Sequence, residues 1–174
     1  MSMTCIVGIS DKDIVYIGAD RGASDEDSIV SLIAPKVYIR GDWIFGYSGS
    51  LGTGQLMQCI TMPDVSKNED PFIVLRMDIV EALKVAIDSY GNDSSDHAAD
   101  FIVGCKGRLF EFSTEDWGVA EVKEVAIGSG GAFALGSLHS TSDIDNPIVR
   151  VTNALDAAIT YSPTCKGPTD ILYL

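Results

Sequence analysis

The chain has 174 residues, a formal net charge of −13 and 46% hydrophobic residues. This length suits one domain with a sizeable core, and this hydrophobic content argues against disorder. The negative charge disfavours nucleic acid and anionic membranes as partners, and no apolar run approaches the roughly eighteen residues of a membrane helix.

The first five residues, Met-Ser-Met-Thr-Cys, show neither the basic stretch nor the apolar core of a secretion signal. Strands are expected at 4–10 and 14–19, separated by the polar turn Asp11-Lys12-Asp13. Residues 21–28 read as a polar loop. Two further strands, about 36–40 and 43–47, flank the turn dipeptide Gly41-Asp42.

A helix is expected from Ser50 to about Ile60. Asp70 can cap a second helix and Pro71 can occupy its first turn. There Phe72, Leu75, Ile79, Leu83, Ala86 and Tyr90 recur at helical spacing, and Ile73, Val80 and Ile87 form a second stripe. Residues 91–96 read as a loop.

Strands return at 100–105 and 108–113, then near 119–126. Gly128-Ser129-Gly130-Gly131 breaks the chain, and 132–138 looks helical. Asn146 caps and Pro147 begins a last helix with Ile148, Val151, Leu155, Ala158 and Ile159 on one face. A strand over 170–174 ends the chain. No linker or repeat divides 1–174. The order of strands and helical pairs predicts one α+β domain, a four-layer αββα sandwich with helices outside two packed sheets.

Cys5, Cys59, Cys105 and Cys165 contain no CxxC pair, and the only histidines are His97 and His139. No metal or other cofactor is therefore expected. Three of these cysteines lie in or beside apolar segments, which suits reduced thiols in a cytoplasmic compartment. The glycine-rich run 49–54 lacks a following Gly-Lys-Ser/Thr, so it does not read as a phosphate loop.

Thr4, Asp20 and Lys36 each stand at a strand boundary. A near-terminal hydroxyl, a carboxylate and a lysine are the parts of a nucleophile whose base is its own α-amine. Each residue also has a plainer reading. Thr4 could be an ordinary strand threonine, Asp20 and Lys36 a structural ion pair, and Gly49 and the glycines at 128–131 turn formers.

Thr-Cys-Ile-Val-Gly at 4–8, Ile-Gly-Ala-Asp-Arg-Gly-Ala-Ser at 17–24, Lys-Val-Tyr-Ile at 36–39, Ser-Gly-Ser at 48–50 and Ala-Ile-Gly-Ser-Gly-Gly at 126–131 together resemble the proteasome β-subunit and HslV-type peptidases of the N-terminal nucleophile hydrolase superfamily. The resemblance covers nearly the whole chain. It implies that Thr4 is the nucleophile and that its freed α-amine is the base. Lys36 would be the neighbouring ammonium, Asp20 the group that orients it, the Gly49 N–H the oxyanion donor and Ser129 a hydrogen-bond partner near the amine. Tyr47 would floor the main specificity pocket, with Ala23, Ser24, Ala34, Tyr38 and Leu51 around it. The implied substrate is a peptide bond of an unfolded protein, cut inside a homo-oligomeric ring or double ring served by an ATP-dependent unfoldase.

Two departures stand out. The family carries an acid and a serine shortly after its last helix, whereas the stretch 161–167 has Ser162 and Thr164 but no acid. Residues 1–3 also precede Thr4 and read as a leader to be removed. A catalytically silent assembly subunit and an amidase for a small amide are the alternative readings.

Overall fold

The computed structural model describes residues 4–24, 29–66, 68–90 and 97–174. The expected leader 1–3, the 25–28 part of the polar loop and the loop at 91–96 lie outside the described residues. In chain order the strands are β1 (Ile6–Asp11), β2 (Ile14–Asp20), β3 (Gly22–Ser24), β4 (Ile29–Ser31), β5 (Val37–Arg40), β6 (Trp43–Gly49), β7 (Ala99–Cys105), β8 (Arg108–Ser113), β9 (Val119–Val122), β10 (Glu124–Ile127) and β11 (Thr169–Tyr173). The helices are α1 (Leu51–Cys59), α2 (Pro71–Val74), α3 (Val80–Tyr90), α4 (Gly131–Ser140) and α5 (Pro147–Tyr161), with a π-helical segment, Leu75–Ile79, joining α2 to α3.

The strands build a four-stranded sheet in the order β10-β1-β2-β11 and a five-stranded sheet in the order β5-β6-β7-β8-β9. All their pairings are antiparallel. The two sheets pack face to face, with Ile6, Val15 and Ile17 meeting Ile44, Ile102 and Leu109. Helices α4 and α5 cover the outer face of the four-stranded sheet through Leu138, Val151 and Leu155. Helices α1 and α3 cover the five-stranded sheet through Met57 and Leu83, over Trp43, Phe45 and Tyr47. This is the αββα sandwich, and it explains why β6 is buried on both faces. Alternate residues serve different layers.

The helix starts follow local chemistry. Asp70 Oδ1 accepts the N–H of Phe72 at 2.9 Å, and Asn146 Oδ1 accepts that of Ile148 at 3.0 Å. Each cap sits before a proline that needs no donor, and such caps contribute about 1 kcal/mol. Ser50 caps α1 through the N–H of Thr53 at 3.3 Å.

Three expectations need correction. Residues 22–24 are strand, paired with 29–31, instead of loop. The hairpin is anchored from outside, since Ser31 Oγ donates to Gly167 O at 2.8 Å. The single strand near 119–126 is two strands in different sheets. Lys123 lies between them, and its carbonyl accepts Ser10 N–H at 2.9 Å as the chain crosses over. Finally, Ile73 is 53% exposed, Tyr90 69% and Ile148 41%, although each lies on one of the apolar stripes. The π turn accounts for Ile73, because its wider winding rotates α2 relative to α3. Tyr90 and Ile148 lie in the end turns of their helices, where the neighbouring layer no longer covers them.

Candidate active site

Three strand ends converge at one end of the sandwich. The β1–β2 register pairs Ile6 with Ala19, so Thr4 and Cys5 run alongside Asp20. The Asp20 N–H donates to Cys5 O at 3.1 Å. Lys36 enters from the head of β5, where its carbonyl accepts the N–H of Tyr47 at 3.3 Å. Thr4 is 4% exposed, Asp20 0% and Lys36 4%.

The Lys36 ammonium donates to Thr4 Oγ1, to the carbonyl of Gly22 and, at 3.3 Å, to Asp20 Oδ1. Its three protons therefore all have acceptors. Asp20 is held in turn by backbone donors. Oδ1 accepts from Cys5 N at 3.0 Å, and Oδ2 accepts from Gly22 N at 3.1 Å and Lys166 N at 2.9 Å. Burial draws the Lys36 pKa below its ordinary value, while Asp20 opposes the shift. Such a lysine parts with a proton more readily than an exposed one, and when charged it favours a negative threonine oxygen.

On the other side of Thr4, its backbone N–H donates to Ser129 Oγ at 3.2 Å. Ser129 Oγ lies 2.6 Å from Thr164 Oγ1, which lies 2.8 Å from Ser162 Oγ. Gly130 N donates to the Thr4 carbonyl at 3.2 Å. Gly128 passes so close that a Cβ there would meet the Thr4 carbonyl oxygen at 2.3 Å and Ser48 Oγ at 2.7 Å.

Gly49 ends β6 beside Ser48, with φ of +103° and no room for a Cβ against the Ala98 carbonyl at 2.5 Å. The expected pocket residues divide. Tyr47 is only 3% exposed; its ring packs on Phe101 at 6.4 Å and closes the space over Gly54. Tyr38 is half-buried and stacks on Phe45 at 5.4 Å. Ala23 is half-buried next to Gly22, whereas Ala34 and Leu51 are exposed. Ser24 lies at the end of β3.

No protein-family model matches the chain, and neither does any curated protein. Among solved structures, Thiobacillus denitrificans BPH in complex with epoxomicin superposes with a TM-score of 0.79 at 16% identity, over 98% of this chain and 97% of that one. Eukaryotic HslV from Trypanosoma brucei gives 0.71 at 21% identity, over 98% of each. The Anbu complex from Pseudomonas aeruginosa, a helical assembly, gives 0.75 at 13% identity, over 98% of this chain and 80% of that one. The chain has the proteasome-like N-terminal nucleophile hydrolase fold. At these identities the likeness is one of fold.

Within this proteasome-like frame, several contributors carry no side-chain signal in the sequence. Gly22 supplies a carbonyl to Lys36 and an N–H to Asp20. Lys166 supplies its backbone N–H. A glycine or lysine used through its main chain is legible only once the strands are placed. Among the described residues no group of three or more His, Cys, Asp or Glu could hold a metal ion. No helix among them is long and apolar enough to cross a membrane.

Proposed function

We propose that this chain, one proteasome-like unit over 1–174, is a threonine-type peptidase whose nucleophile, Thr4, is exposed by removal of residues 1–3. The observation that carries this reading is the contact of the buried Lys36 ammonium with Thr4 Oγ1 while Asp20 holds that ammonium. An ordinary strand threonine has no need of such a partner.

In the proposed reaction the free α-amine of Thr4 takes the hydroxyl proton through a water. Oγ1 attacks the substrate carbonyl carbon, and Lys36 favours the developing alkoxide. The tetrahedral oxyanion is received by the N–H of Gly49, a donor type worth roughly 3–4 kcal/mol where removed. Collapse breaks the C–N bond, and the leaving amine takes the proton held by the α-amine. Water then hydrolyses the ester by the same route in reverse, restoring Thr4. No cofactor is needed. Assembly into a ring or double ring, with an ATP-driven unfoldase as supplier of unfolded chains in the cytoplasm, extends this reading. Support for self-assembly comes from the helical assembly of the Pseudomonas aeruginosa protein.

The test is intact mass of the purified chain, followed by fluorogenic peptides and epoxomicin, the compound bound by the Thiobacillus denitrificans protein. Peptide turnover by material that begins at Thr4, blocked by epoxomicin, is expected. A catalytically silent assembly subunit is the second reading. It is favoured by the absence of any carboxylate bonded to Ser129 among the described residues. An inert chain confirmed to begin at Thr4 would establish that reading instead.

A further inference from the structure

The Thr4 N–H donates to Ser129, Ser129 touches Thr164 at 2.6 Å, and Thr164 touches Ser162 at 2.8 Å. Ser129 is exposed on the glycine-rich turn before α4, and its hydroxyl also meets the Thr4 carbonyl at 3.4 Å and the Cys165 thiol. Ser162 is different. It is 5% exposed, and its N–H is bonded to Ala158 O at 2.8 Å at the end of α5. Thr164 is half-buried between them and touches both hydroxyls.

We propose that Thr164 is the positioning residue of the Thr4 amine: its hydroxyl, anchored by Ser162, holds Ser129 against Thr4 N, so that neutral hydroxyls orient the base where a carboxylate could. This rests on the peptidase reading above.

The choice of a neutral chain has a chemical consequence. The titratable groups around Thr4 and its hydroxyl chain are Lys36 from the head of β5, which meets Thr4 Oγ1, Asp20 from the end of β2, Cys5 next to Thr4 in the chain, and Cys165 from the loop after α5, whose thiol hydrogen-bonds Ser162 and Ser129. Burial raises the pKa of both thiols, so they stay uncharged near neutral pH. Asp20 is already committed to Lys36 and three backbone donors. The positive Lys36, in contact with the hydroxyl of the same Thr4, favours the uncharged base. A carboxylate at 164 would act in the opposite sense and hold the amine protonated to higher pH.

The experiment uses protein released from a fusion so that Thr4 is first, in four forms: wild type, Thr164→Val, Thr164→Ser and Thr164→Asp. Two readouts are taken. One is the pH titration of the Thr4 amine by NMR of labelled threonine. The other is the pH profile of kcat and KM on a fluorogenic peptide, with melting temperatures as the folding control. Thr164→Val is expected to lower kcat about tenfold with KM unchanged, through lost orientation, and Thr164→Ser to restore it. Thr164→Asp is expected to raise the amine pKa and the acid limb of the profile by about one unit or more. A Val variant with wild-type kcat, or an Asp variant with an unmoved amine titration, would overturn the proposal. If no form cleaves peptide, the NMR titration still decides. A raised amine pKa in the Asp variant then upholds the placement of Thr164 while the peptidase reading falls.

Discussion

Asp20 Oδ2 accepts the backbone N–H of Lys166 at 2.9 Å, joining positions 146 residues apart. The same carboxylate binds Cys5 N, Gly22 N and the Lys36 ammonium. One fully buried charge therefore ties the first strand, the β3 hairpin, β5 and the loop after α5 together. Asp20→Asn keeps the volume but removes the charge, and its amide must turn N–H groups toward backbone N–H donors. Breaking a buried pair in this way costs about 3–5 kcal/mol. We expect a loss of that size in denaturant unfolding, together with loss of peptide turnover. A variant as stable as wild type would show that Asp20 is not the keystone inferred here.

Thr4→Ala removes one acceptor of the Lys36 ammonium and leaves the other two. Its stability cost should stay near 1–2 kcal/mol, while turnover falls to background. Lys36→Arg should also be inactive. The site is built around a compact ammonium, 4% exposed, and a planar guanidinium needs more room and a different donor layout. Turnover at wild-type level in the Arg variant would mean that Lys36 only balances Asp20.

The pH dependence follows from the lowered Lys36 pKa. The folded protein holds this proton less tightly than the unfolded chain does. Charged Lys36 thus weakens the fold at low pH, and this cost fades as pH rises from the folded value to the ordinary lysine value of 10.5. Under the proposed peptidase reading, activity should move the other way, because the ammonium proposed to favour a Thr4 alkoxide is lost over the same range. We expect kcat/KM to fall with an alkaline limb below 10.5 while the Lys36 contribution to stability improves. Comparing urea unfolding of wild type and Lys36→Met across this range isolates that contribution. A limb at or above 10.5 would contradict the assignment.

The meeting of Thr4, Asp20 and Lys36 was legible because strand boundaries are legible. Alternating apolar runs put Thr4, Asp20 and Lys36 at three strand ends, and Asp70-Pro71 and Asn146-Pro147 marked helix starts by local chemistry alone. The β3–β4 hairpin was not legible, since its strands are short and the bond that anchors it from outside, Ser31 to Gly167, joins residues 136 apart. The division of 119–127 was hidden for a related reason. Its residues suit a strand throughout, and only pairing with β1 on one side of Lys123 and β8 on the other separates the sheets. The resemblance put Tyr47 at a pocket floor, while its 3% exposure places it in the core behind Phe101.

Gly128→Ala probes the closest backbone approach in the site. Its φ is +86°, and the added Cβ would stand 2.3 Å from the Thr4 carbonyl oxygen. Something must shift, and the atoms met are the Thr4 carbonyl oxygen and the Ser48 hydroxyl at 2.7 Å. We expect a kcat loss of at least about tenfold, since small misplacements of a nucleophile have large effects. Strain of about 1–3 kcal/mol should accompany it. Retention of full kcat would show that the turn yields without disturbing Thr4.

Tyr38 and Tyr47 carry the last prediction, and they should behave oppositely. The Tyr38 hydroxyl is buried with no hydrogen-bond partner among the described residues. Burial raises its pKa, so it remains a neutral, unpaired phenol. Tyr38→Phe removes that polar atom and keeps the stacking on Phe45, so it should stabilise the protein by about 1 kcal/mol. Tyr47→Ala deletes a ring packed against Phe101 and Gly54 and should cost about 3–5 kcal/mol. If the pocket proposed from Ala23, Ala34, Tyr38, Tyr47 and Leu51 is the one used, it offers no charged side chain to a charged guest. Desolvation then disfavours Lys, Arg, Asp and Glu before the cut. A peptide-library profile should favour small or medium apolar residues at that position. In Tyr47→Ala, at a temperature where it remains folded, the profile should shift toward Phe and Leu. A wild-type profile dominated by basic or acidic residues would reject this pocket, and a destabilised Tyr38→Phe would reveal a partner for its hydroxyl.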